Sequence, residues 1–256
     1  MTSPVKSSFP EAAERPRNPG RGDARPGDRP VRDSLLGFVA VTAAVSLLYR
    51  LRGVAFIERN LAVIAAVLFL YLPALLLWRG GRDLEQYGLR AAPLRRGLLA
   101  FGLAGLLVLP AFGLGYWAYV AHYCLPIADT LRRWVGAAAL WHCPPRLPAA
   151  LRLPPELPMA VLSQLLVVAL PEEFFFRGFV QGRLQEALSP RRALLYTALL
   201  FALGHYLVTF DPAALSVFFP GLLFGLLRLW TGSVLAGTLF HATCNLFMET
   251  LRRSLG

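Results

Sequence analysis

The stretch LPEEFFFRGF, Leu170 to Phe179, sets two adjacent glutamates and an arginine inside a run that is otherwise as apolar as lipid. The run extends over approximately 159–180, and about 20 apolar residues at ~1.5 Å each are enough for a helix to cross the hydrocarbon of a bilayer. Charged groups are costly at that depth and mark functional candidates. The stretch therefore reads as a transmembrane helix that keeps its charges for a reason.

The same pattern recurs along the chain. Further apolar runs lie at approximately 35–49, 61–78, 98–121, 193–210, 213–230 and 233–249, which makes seven spans. The first is short, and Arg50 and Arg52 can extend it by snorkelling. Of 256 residues, 56% are hydrophobic and 16% charged, and the mean hydropathy is +0.52; an average soluble domain is about one-quarter charged. The expected fold class is all-α, a polytopic transmembrane helical bundle. An eighth, re-entrant or interfacial segment is expected in the proline-rich connection 122–158, where WVGAAALW is too short to span.

Residues 1–33 hold six prolines and mixed charge without an apolar core. They read as a disordered tail rather than a cleaved signal peptide. The remainder, 34–256, reads as one transmembrane domain whose motif-bearing core spans about 159–249.

A net charge of +11 would point a soluble protein towards a polyanion. Here the arginines sit mostly between apolar runs, where they act as topology signals. The expected partner is the lipid bilayer, and no nucleic acid. A cytoplasmic N-terminus puts Arg79, Arg82, Arg90, Arg95, Arg96, Arg183, Arg191 and Arg192 on the inner side. Arg50, Arg52, Arg59, Arg132, Arg133, Arg146, Arg152, Arg252 and Arg253 then fall on the outer side, so the basic tail decides the balance. Twenty-five arginines against one lysine, with abundant Ala, Leu, Gly and Pro, indicate a GC-rich bacterial gene and hence a bacterial plasma membrane. Cys124 and Cys143 share the non-cytoplasmic connection and are the candidate disulfide, because such bonds persist in oxidising compartments. Cys244 reads as a packing residue.

Within the opening stretch, Glu173 and Arg177 lie four residues apart on one helix face and can pair. Glu172 points about 100° away and lacks that partner. Pro171 removes a backbone donor and loosens the helix beside it. Two of the four histidines, His205 and His241, also fall within spans, and Asn245 shares a face with His241. Measured from the inner end of each span, Glu172, His205 and His241 lie at roughly 12, 18 and 12 Å. Three helices can therefore converge on one intramembrane site.

A carboxylate, two imidazoles and an amide meet the needs of peptide hydrolysis: a base for water, a group to orient it, and donors for the oxyanion. Glu172, His205, His241 and Asn245 are the candidate catalytic residues. The same carboxylate and imidazoles can instead bind zinc with an open position, although no H-E-x-x-H helix is present and three helices would have to supply the ligands. The reading without a metal or other cofactor is the main expectation. Two further readings use the same groups: a buried polar network that fixes helix packing, and a proton relay in a transporter. The transporter reading lacks the related halves such folds show.

EEFFFR, FALGH and HATCN, in that order, resemble the E-E-x-x-x-R, F-x-x-x-H and H-x-x-x-N/D signature of the CPBP family. That family comprises type II CAAX prenyl proteases with bacteriocin-processing and immunity proteins, also called Abi. DLEQYGLR, Asp83 to Arg90, is similar to a segment such proteins carry before their core. The resemblance implies a glutamic-type intramembrane endopeptidase whose partner is a protein or peptide substrate within the membrane. Glu172 would activate water with help from His205, and His241 with Asn245 would stabilise the oxyanion. Glu173, Arg177 and Phe201 would support them. It also implies two variants: non-enzymatic immunity or scaffold proteins, and bacterial C-terminal sorting proteases, comparable to myxosortases, that remove a membrane anchor from exported proteins.

Overall fold

The computed structural model describes residues 29–90, 94–119 and 151–255. Most of the expected tail, the WVGAAALW segment and the Cys124 and Cys143 pair lie outside those residues. Seven long helices form among the described residues, with no strand: α1 Pro30–Arg50, α2 Ala55–Arg79, α3 Leu94–Tyr119, α4 Leu157–Ala187, α5 Pro190–Thr209, α6 Phe218–Thr231 and α7 Leu235–Leu255. A 3-10 turn, Pro212–Val217, leads into α6. This is the all-α transmembrane bundle expected from the sequence. Six helices, α6 counted with its 3-10 turn, are long and apolar enough to cross a membrane. The seventh, α7, has 21 residues and so reaches about 30 Å, but Thr238, His241, Thr243 and Asn245 make it more polar.

The first helix begins inside the stretch assigned to the tail. Pro30 starts it, as a residue with preset φ and no N–H to lose does at a first turn. Asp33 lies in that turn and accepts from Arg183 Nη2 at 2.9 Å, so the tail boundary moves back from Asp33.

Two ends of the bundle can be told apart. One holds the start of α1, the α2–α3 connection, the α4–α5 turn and the α6–α7 turn. There Tyr87 lies on α4, against glycines chosen for closeness: a Cβ at Gly178 would meet the Tyr87 carbonyl at 2.8 Å, and one at Gly182 its ring at 2.8 Å. The Tyr87 hydroxyl donates to Glu186, which also pairs with Arg82 at 2.9 Å and Arg183 at 2.6 Å. Burial and then this hydrogen bond push the Tyr87 phenol up to about 12. Arg228 donates to the Gln86 carbonyl at 3.1 Å, and the Val234 amide to Gly88 at 3.1 Å. At the other end, Ser46 donates to the Leu207 carbonyl at 3.0 Å, and the Arg152 amide to Ser254 Oγ at 2.8 Å.

The core sits around the second half of α4. Phe174, Phe175, Phe176 and Phe179 are buried; the Phe175 ring meets Phe69 of α2, and the Phe176 ring meets Phe69, Phe38 of α1 and Phe201 of α5. Every residue from Phe174 to Glu186 is buried, and none from Leu157 to Val168 is.

Candidate active site

Position along α4 is set by its own irregularity. Residues Gln164–Ala169 and Phe174–Val180 are π-helical, on either side of the short α-helical piece Leu170–Glu173 that contains Pro171. Proline breaks the regular ladder, and π turns insert an extra residue, as they do at functional sites. Glu172 and Glu173 thereby leave the helix in different directions at the point where burial begins.

Glu173 enters the packed side. Its side chain is 0% exposed, and its Oε1 accepts from Arg177 Nη1 at 3.0 Å and from His241 Nδ1 at 3.0 Å. Arg177, equally buried, continues to the Gly221 carbonyl of α6 at 3.1 Å, with its guanidinium 4.2 Å from the Phe201 ring centre. That cation–π contact replaces some of the hydration a buried cation loses. Close approach matters here too: a Cβ at Gly237 would lie 2.9 Å from Glu173 Oε2.

Glu172 faces the other way and remains 17% exposed. Its Oε2 lies 3.9 Å from His205 Nε2 and 3.9 Å from His241 Nε2. Both distances exceed a hydrogen bond, and no hydrogen bond reaches that oxygen among the described residues. The histidines are held by their other nitrogens: His205 Nδ1 donates to the Phe201 carbonyl at 2.9 Å, and His241 Nδ1 to Glu173. Both Nε2 atoms are thus turned towards Glu172, and second-partner bonds of this kind set the tautomer. Phe224 stacks on His241 at 4.7 Å, and Phe201 sets its edge against His205 at 4.5 Å.

Glu172, Glu173, Arg177, Phe201, His205 and His241 therefore meet at one centre built from α4, α5 and α7. Asn245 follows on α7, one turn beyond His241, and its Nδ2 donates to Gln164 Oε1 at 2.9 Å. Sequence reasoning missed Gln164, although a lone amide in the apolar run 159–180 is the same signal that marked the histidines. It also missed the bond from Glu173 to His241, because helix spacing reports neighbours on one helix and says nothing of contacts between helices. The glycines at 221 and 237 had no signal at all. Among the described residues no group of three or more His, Cys, Asp or Glu is arranged to hold a metal ion.

Residues 154–247 match the family model described as type II CAAX prenyl endopeptidase, Rce1-like. The match covers all three motifs and agrees with the family they resemble. No curated protein and no solved structure matches the chain significantly.

Proposed function

From the match of residues 154–247 to the Rce1-like type II CAAX prenyl endopeptidase model, in an integral membrane protein, we propose a glutamic-type intramembrane endopeptidase. Its substrate is a membrane-associated or exported protein, from which it removes a C-terminal sorting or anchor segment. One observation carries the reading of mechanism. Two adjacent carboxylates have different surroundings, Glu173 accepting at Oε1 from Arg177 and His241, and Glu172 facing two imidazole nitrogens without a direct bond.

In the reaction, Glu172 removes a proton from a water molecule that His205 orients. The hydroxide so formed attacks the scissile carbonyl carbon. His241, with a proton on Nε2, and the free N–H of Asn245 donate to the oxyanion. Glu173 holds that imidazole in place, since its carboxylate accepts from Nδ1. When the tetrahedral intermediate collapses, the C–N bond breaks and Glu172 returns its proton to the leaving amine. No cofactor enters this scheme.

Replacing Glu172 by Gln keeps the shape and removes the base. Membrane proteomes of the Glu172→Gln strain and the wild type should differ in proteins that retain a terminal segment, with cleavage lowered by at least ~10²-fold. Undiminished cleavage by Glu172→Gln overturns the assignment.

A further inference from the structure

Among the described residues, the site is closed at one end of the bundle and accessible at the other. Towards the end holding the start of α1, successive buried layers lie below Glu173. Arg177 bonds the Gly221 carbonyl, Gln181 donates to the Gly225 carbonyl at 3.3 Å, and Tyr87 fills the groove at Gly178 and Gly182. Towards the opposite end, α4 loses its cover from Val168 outwards. The site's exposed groups lie on that side: His205, 34% exposed and one turn from the end of α5, and the half-buried Gln164 and Asn245.

The two ends also differ in charge. Arg29, Arg32, Arg79, Arg82, Arg90, Arg95, Arg96, Arg191 and Arg192 gather at the closed end. The open end carries fewer among the described residues: Arg50, Arg52, Arg59, Arg152, Arg252 and Arg253. Lysine and arginine are retained on the cytoplasmic side.

We propose that the site is entered from the end of the bundle opposite the start of α1, and that this end faces away from the cytoplasm. The word substrate rests on the endopeptidase reading, but the route does not. With that reading, the substrate is a polypeptide that presents its scissile segment on the exported side of the membrane. A segment confined to the cytoplasm would meet the closed layers.

Single cysteines in the full chain test this, with a membrane-impermeant maleimide applied to intact cells and the labelled residue located by peptide mass spectrometry. Leu215→Cys at the open end is expected to label in intact cells, and Glu85→Cys at the closed end at least tenfold more after permeabilisation. Any other pattern at these two positions overturns the orientation. Gln164→Cys and Asn245→Cys report the cavity and are expected to label from outside in intact cells. Absence of label at both, with Leu215→Cys labelled, overturns the route. Repeating the labelling in Glu172→Gln separates the proposals: failure of the protease assignment leaves the labelling pattern intact, and failure of the route leaves the loss of cleavage intact.

Discussion

The two halves of α4 have opposite surroundings, and the half that carries Arg177, Arg183 and Glu186 is the buried one. From Leu157 to Val168 no residue is buried, whereas from Phe174 to Glu186 every one is. The charged side chains of the packed half and Gln181 have charged, hydroxyl or backbone partners: Arg177 has Glu173 and Gly221, Gln181 has Gly225, and Glu186 has Arg82, Arg183 and Tyr87, whereas Gln185 Nε2 has no hydrogen-bond partner among the described residues. Glu172 stands at the junction without such a bond. The comparison teaches that burial, more than residue type, separates a carboxylate that holds the fold from one free to react. A buried charge needs a partner, because an unpaired one costs more than its pair contributes.

Substitutions in the packed half should therefore act on stability, and those in the open half on turnover. The largest effect is expected for Glu173→Ala, which strands Arg177 and releases His241. A loss of about 3–5 kcal/mol should appear as a collapse of folded protein in a denaturation series in detergent. Glu172→Gln, one residue away, should leave the same midpoint unchanged. A similar midpoint for both would erase the distinction between the halves.

Next, Asn245→Ala should lower turnover by about 10²–10³-fold, the cost of one oxyanion donor, with little change in denaturation midpoint. A loss of folded protein instead would make Asn245 a packing residue.

Tyr87→Phe removes the hydroxyl from Glu186 and should cost about 0.5–1.5 kcal/mol with cleavage retained. The Tyr87 phenol is raised in the folded protein from its ordinary 10 to about 12, so folding favours its neutral form. The stability it supplies is complete below pH 10 and is lost as pH rises towards 12. That alkaline decline should be smaller in Tyr87→Phe, which a pH series of denaturation midpoints measures.

The smallest effect is expected for Gln164→Ala in the open half. Freed from its acceptor, the Asn245 amide loses one fixed orientation, about 0.5–1 kcal/mol, seen as a roughly two- to fivefold fall in turnover without change in midpoint.

Much of this contrast was legible in the residues. The apolar runs were readable because a bilayer imposes length and hydropathy on every helix that crosses it. The last run, 233–249, was read as a span as well, although the groups that mark α7 as part of the site lower its hydropathy. The Glu173 and Arg177 pair followed from helix spacing alone. The glycine at 178, by contrast, looks like any other in the sequence, although it admits the Tyr87 carbonyl.

By itself, the sequence determined a helical membrane protein with one charged helix and three ordered motifs, because periodicity, hydropathy and spacing are local along the chain. Only the tertiary structure decided that His241 bonds Glu173, that Gln164 holds Asn245, and that one end of the bundle is closed over the site. Those facts depend on how separate helices meet, and the order of residues along one helix does not encode where its neighbour's side chains arrive.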